Sequence, residues 1–222
     1  MEQGGVLEQR GDAIGVVEGV VGQRRFSIQV DGQPNHAGTT PMKLRQDALV
    51  AASRIVLAVE TMARQHPGAP VATVGRLEVW PNAANVVPGS VALTVDLRDV
   101  NSVVLDQLVA ELMQQVERIG AETGCPIQLE PQFEVEPTAA ADGVMAAIVS
   151  AAEDLGLSHS HLPSRASHDA QEIGRRWPMG MIFVPSRGGL SHSAKEFTSD
   201  EHCWAGAAVL LGTLQRLDRE LS

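Results

Sequence analysis

The sequence predicts an α/β chain interrupted by an α+β insert, and three observations carry that expectation. Strand-like and helical stretches follow one another through its middle in the order strand–helix–strand–strand–helix–strand. A further helix, a continuous apolar run and a last helix come after them, as expected of a second, layered body. The turn-forming residues that separate these stretches fall between the periodic segments rather than inside them.

Residues 23–30 alternate apolar and polar, with Phe26, Ile28 and Val30 on one side, and read as a half-buried strand. The turn-rich Asp31-Gly32-Gln33-Pro34-Asn35 follows. From about 47 to 62, Leu49, Ala52, Val56 and Val59 recur at helical spacing, and that helix should end before His66-Pro67-Gly68. Residues 71–79 and 91–97 are strand-like, divided by Pro81-Asn82-Ala83-Ala84-Asn85 and Pro88-Gly89. A second helix over 104–122 puts Leu105, Leu108, Leu112, Val116 and Ile119 on one stripe, and residues 127–135 alternate as a last strand. This order is the split βαβ, or ferredoxin-like, pattern, placed at 22–137. It would interrupt an α/β domain made of 1–21 and 138–222, which is tolerable because domain termini often lie close together. In that domain a helix is expected over 142–154 and a buried strand over 179–184. The final helix should start at a capping box, Thr198-Ser199-Asp200-Glu201.

At 222 residues, 44% hydrophobic and 20% charged, the chain has the composition of an ordinary globular protein. Its formal net charge of −10 argues against nucleic acid or an anionic membrane as partner. No apolar run is long enough to span a bilayer and no basic-then-apolar leader opens the chain, so a cytoplasmic protein is expected. Cys125 and Cys203 form no CxxC pair and read as two plain thiols.

Several polar residues could carry chemistry, and each has a plainer reading. His192 follows the apolar run and the loop Pro185-Ser186-Arg187-Gly188-Gly189-Leu190; loops after α/β strands bind ligands, and an imidazole there suits zinc or manganese, although a loop histidine is more often solvated. His36, beside glycine and hydroxyls, could simply belong to a turn held by Asn35 and the threonines. Asn85 reads by default as a turn asparagine. Arg98 could pair at the surface with Asp96 or Asp99, or grip a carboxylate through its planar fork. Gln23-Arg24-Arg25 could be a solvated strand face. The neighbours His168 and Asp169 suggest a hydrolase dyad, but no GxSxG nucleophile motif accompanies them and serine hydrolysis is discounted.

Four segments resemble one family: Met1-Glu2-Gln3-Gly4-Gly5-Val6-Leu7-Glu8, Asn35-His36-Ala37-Gly38-Thr39-Thr40-Pro41-Met42, Asn82-Ala83-Ala84-Asn85-Val86-Val87-Pro88-Gly89 and Ser191-His192-Ser193-Ala194-Lys195-Glu196-Phe197-Thr198. Together they are similar to the amidase/carbamoylase branch of the M20 metallopeptidase-like family, which holds allantoate and ureidoglycolate amidohydrolases and N-carbamoyl-L-amino-acid hydrolases. The resemblance covers nearly all of this chain and about half of a full-length member. It implies the C-terminal part of a metallohydrolase α/β catalytic domain carrying a ferredoxin-like lid and dimerisation domain. Met1 would then sit one residue past the family's first metal-binding histidine.

The resemblance also implies roles. His192 would be the last metal ligand of a centre holding two divalent ions, zinc or manganese. His36 would reach the neighbouring subunit's site in a homodimer and stabilise the oxyanion formed when water attacks the carbonyl. Gln23, Asn85, Arg98 and Gly189 would bind a small carboxylate-bearing ureido or amide substrate. The other metal ligands and the glutamate base would come from an N-terminal half, so this chain alone would be an incomplete catalyst. The wording Gly22-Gln23-Arg24-Arg25 favours an allantoate amidohydrolase over an N-carbamoyl-L-amino-acid hydrolase. A non-catalytic dimerisation or ligand-binding remnant is the reading from a different class. One departure stands out: the family's Gly-Ala-Gly-His-Asp-Ala is Arg165-Ala166-Ser167-His168-Asp169-Ala170 here, and serine at a glycine position is expected to strain that loop.

Overall fold

The computed structural model describes residues 5–190 and 193–221. In chain order its elements are α1 (Val6–Arg10), β1 (Ile14–Val20), β2 (Gly22–Asp31), β3 (Asn35–His36), α2 (Ala48–Gln65), β4 (Val71–Trp80), β5 (Val86–Val87) and β6 (Ser90–Asp99). They continue with α3 (Ser102–Thr123), β7 (Ile127–Val135), β8 (Thr138–Ala139), α4 (Asp142–Asp154), β9 (His159–Ser164), α5 (Asp169–Gly174), β10 (Ile182–Phe183) and α6 (Asp200–Leu221). The chain divides into two units, one of residues 22–136 and one built from the stretches before and after it.

In the first unit β2, β4, β6 and β7 form an antiparallel sheet in the order β4–β6–β2–β7. Every second residue of β2 and β6 points to one face, where Phe26, Ile28, Val30, Val91, Leu93, Val95 and Leu97 meet α2 and α3 in one apolar core. The α3 stripe of Leu105, Leu108, Leu112, Val116 and Ile119 is buried as its spacing predicts. The α2 stripe is rotated from the expected one: Ala48, Ala51, Ala52, Ile55, Val59 and Met62 are buried, while Leu49 and Val56 lie on its flanks. Because α2 packs against both the sheet and α3, its apolar arc is wide and spacing alone does not fix its centre. The Asp47 carboxylate caps α2 by accepting from the Leu49 and Val50 N–H groups at 3.0 and 3.1 Å. Asn101 caps α3 through the Val103 N–H at 2.9 Å, and Gly124 ends that helix at φ 69°.

In the second unit β1 is the central strand, antiparallel to β10 and β8 and parallel to β9. Both of its faces are covered: Ile14 and Val16 pack with residues of α4 and α6, and Val17 and Val20 with Leu7, Leu162 and Phe183. Gly15 is required by that crowding, since a Cβ there would stand 2.7 Å from the Leu162 side chain and 3.0 Å from Phe183. The expected strand over 179–184 is shorter than predicted, with only Ile182 and Phe183 in the ladder. The preceding carbonyls bond singly instead, Met179 accepting from Ala141 N–H at 2.8 Å and Met181 from Val17 N–H at 3.1 Å. The capping box also shifts by one residue. Ser199, not Thr198, caps α6, its Oγ accepting from the His202 N–H at 3.2 Å. His159, Ser160 and His161 all lie in β9, paired with β1. Cys125 is buried and Cys203 exposed, and both are free thiols. No helix among the described residues is long and apolar enough to cross a membrane.

Candidate functional site

Four of the sequence-predicted residues lie in the 22–136 unit. His36 and Asn85 come from two loops that the backbone zips together. Strand β3 pairs antiparallel with β5, Asn35 opposite Val87 and His36 opposite Val86, and the Ala37 N–H donates to the Asn85 carbonyl at 2.9 Å. Gly32 lets the His36 loop leave the sheet, because a Cβ there would stand 2.4 Å from the Gln46 carbonyl oxygen. Its own N–H donates to the Gly89 carbonyl at 2.8 Å. Arg45 clamps the far side of the loop, donating to the carbonyls of Thr40 and Ala37.

The structure places His36 in the turn that its plainer reading described. Its backbone is held by Asn35 Oδ1, which accepts from the His36 N–H at 2.8 Å, and by Thr40 Oγ1, which donates to the His36 carbonyl at 2.7 Å. Its Nδ1 accepts from the N–H groups of Gly38 and Thr39 at 3.0 and 3.2 Å. Backbone N–H groups can only donate, so the proton of the neutral ring belongs on Nε2. The loop thereby presents an exposed imidazole as an Nε2–H donor.

Gln23 and Arg98 are brought side by side by strand register, directly opposite one another on β2 and β6. Both turn to Asp96. Arg98 Nε donates to Asp96 Oδ1 at 2.7 Å, Gln23 Nε2 donates to Oδ2, and Arg25 donates to Oδ2 through Nε at 3.2 Å and Nη2 at 3.0 Å. Arg25 also lies over the Phe133 ring, 5.7 Å from its centroid. Burial opposes ionisation of Asp96, but the hydrogen bonds from Arg98, Arg25 and Gln23 and the charge of Arg98 outweigh it and hold its carboxyl below the ordinary value of 3.8. The folded state therefore binds this proton more weakly than the unfolded chain. The stability that results is fully present above the unfolded pKa and is lost as pH falls through the lowered folded one. We expect the stability gap between the parent and Asp96→Asn, from urea unfolding at stepped pH, to shrink on acidification through that window. A gap constant down to about pH 2 would refute the assignment.

The remaining candidates lie in the other unit. Gly189 ends a short 3-10 turn, Arg187–Gly189, in which Gly188 and Gly189 have φ of 64° and 62°, a region where side chains other than glycine are strained. The Glu8 carboxylate on α1 fastens this loop by accepting from the Gly188 N–H at 2.7 Å, and Arg187 packs over the Phe197 ring at 4.2 Å. A cavity of about 320 Å³ opens beside it, bordered by Glu8, Asp12, Arg187, Phe197 and His202. His192 lies outside the described residues. Among the described residues no group of three or more His, Cys, Asp or Glu could hold a metal ion.

The adjacent His168 and Asp169 form no dyad. His168 Nδ1 accepts from the Ala170 N–H at 3.1 Å and caps α5, whose first residue is Asp169. The strain expected at Ser167 is absent too, since among the described residues only Ala69 and Asn82 take positive φ without being glycine. Asn82 takes the left-handed backbone conformation that asparagine tolerates in a turn, at φ 55°. Sequence reasoning missed Glu8 and treated Asp96 only as a surface partner. The signal for Asp96 was its place two residues from Arg98, on the same strand face.

Comparison with known proteins agrees with this architecture. The model of peptidase family M20/M25/M40 matches residues 1–216. An allantoate amidohydrolase of Bacillus subtilis is 38% identical over 217 residues, covering 98% of this chain and 53% of that protein. An N-carbamoyl-L-amino acid amidohydrolase of Geobacillus stearothermophilus is also 38% identical, with the same coverage of 98% and 53%. The crystal structure of a hydantoinase/carbamoylase-family amidase from Burkholderia multivorans superposes with a TM-score of 0.94 at 42% identity, over 97% of this chain and 53% of that one. The chain thus spans about half the length of the curated relatives it matches.

Proposed function

This chain belongs to peptidase family M20/M25/M40, and from that premise we propose that it is the C-terminal portion of a metal-dependent amidohydrolase acting on ureido or amide C–N bonds, most like an allantoate amidohydrolase. The observation that carries the proposal is the pairing of Gln23 with Arg98 across β2 and β6. An amide and a guanidinium side by side match a small substrate bearing a ureido group and a carboxylate, the chemistry that the relatives' names share. In this reading Arg98 grips the carboxylate, Gln23 and Asn85 orient the ureido group, and the Nε2–H of His36 stabilises the oxyanion in the opposite subunit of a homodimer. Gly189, held at positive φ, brings backbone close to the substrate. His192 contributes one metal ligand. The other ligands and the general base belong to the segment that relatives carry ahead of this region.

The second reading, an N-carbamoyl-L-amino-acid hydrolase, is favoured by the equal 38% identity of a relative so named. A chimera that places the N-terminal half of the Bacillus relative ahead of this chain separates the two. The expected result is a higher kcat/KM on allantoate than on N-carbamoyl-L-amino acids; the reverse preference selects the second reading.

Metal binding gives an independent test. Stable sites need three or four well-placed ligands, so the 222-residue chain alone should not take up two zinc or manganese ions per molecule. Two ions bound stoichiometrically and lost in His192→Ala, read by elemental analysis after dialysis, would contradict the proposed division of ligands.

A further inference from the structure

We infer that Asp96 is the positioning residue of this clamp: it sets the direction of the Arg98 fork and the sense of the Gln23 amide. The inference rests on the reading of Gln23 and Arg98 as substrate groups. Asp96 stands on β6 at the point where β2 pairs with it, and its two oxygens gather donors from three side chains. Oδ1 takes Arg98 Nε at 2.7 Å, while Oδ2 takes Gln23 Nε2, both Arg25 donors and, at 3.5 Å, Arg98 Nη2. A guanidinium whose Nε edge is fixed on a carboxylate can rotate only with the loss of that bond, so the edge formed by its two terminal nitrogens has a set direction. That is the edge a second carboxylate would meet with two parallel bonds.

The effect on Gln23 is a choice between two ends of one side chain. An amide has one donor end and one acceptor end, and only its partners decide which points where. A carboxylate accepts and never donates, so Asp96 binds the nitrogen and turns Oε1 the other way. Oε1 is the atom that can accept from a ureido N–H. One carboxylate thus makes Arg98 a reader of anions and Gln23 a reader of N–H groups. Asparagine at this position would keep the size but present a donor and an acceptor, allowing the Gln23 amide to reverse.

The sign of the effect separates positioning from mere charge balance. Removing a negative charge beside two arginines would tighten anion binding if Asp96 were only a counter-charge; loss of positioning would weaken it. The test titrates the full 222-residue chain with N-carbamoylglycine, and with N-carbamoylglycinamide as its carboxylate-free control, by NMR. The Arg98 Nε–H signal and its exchange with solvent are followed in the same samples. Asp96→Asn should weaken N-carbamoylglycine binding by about tenfold or more and speed exchange of the Arg98 Nε–H. Asp96→Glu, which keeps two accepting oxygens, should recover part of both, and it supplies the result if the asparagine variant does not fold. Equal or tighter binding in Asp96→Asn with an unchanged Arg98 signal overturns the inference while leaving the clamp reading intact. If Arg98→Ala binds the acid as wild type does, or if wild type does not distinguish acid from amide, the clamp reading itself fails, and the inference with it.

Discussion

Arg98→Lys, in the chimera that completes the enzyme, is expected to lower kcat/KM on allantoate by about 10- to 200-fold while metal content stays unchanged. Lysine keeps the charge but replaces a planar fork by a single rotating ammonium. It cannot hold Asp96 through Nε and present a second parallel edge to a substrate carboxylate at once. A hydrogen bond to a charged group contributes roughly 1.5–3 kcal/mol, and about 1.4 kcal/mol corresponds to a tenfold change in rate, which sets the range. Steady-state kinetics with elemental analysis of the same preparations decides it. Wild-type kcat/KM in the variant would place carboxylate recognition on other residues.

Two inactive variants of the same complete enzyme should rescue one another when combined in one dimer. His36→Ala removes the donated imidazole but leaves its own metal ligands whole. His192→Ala cripples its own metal site but still carries a sound His36. If His36 serves the opposite subunit, the active site with intact ligands receives its donor from the other chain. The two-fold relation makes the exchange reciprocal, so the second site collects both defects. Activity should therefore rise from near zero to about half of the wild-type sites in each mixed dimer. Differently tagged chains, co-expressed and purified through both tags, provide the sample. A confirmed mixed dimer no more active than its parents would mean that His36 acts within its own chain, or only shapes the loop it anchors.

The legible part of this protein is the part whose chemistry is local. Strands β2 and β6 alternate in sequence because one face meets the apolar core, so their period could be read directly. The α3 stripe was legible because its buried residues fall on one arc at helical spacing. The motif residues His36, Asn85, Arg98 and Gln23 were identifiable because each stands in a distinctive run of neighbours. Other features depended on partners far away in the chain. Strand β1 gives no alternation because apolar residues cover both of its faces. Strand β9 reads as polar loop, His159-Ser160-His161, and becomes a strand only because β1 offers it a parallel ladder. The Ser199 cap, the Glu8 bond to Gly188 and the His168 cap were decided by where each chain segment came to rest. The Asp96 hub shows the division most sharply. Sequence supplied an arginine, an aspartate and a distant glutamine, but register across two antiparallel strands joined 23 to 98 and 25 to 96. A strand shifted by one residue turns every side chain to the other face, so the pairing that turns these residues into a possible clamp is a property of the folded sheet.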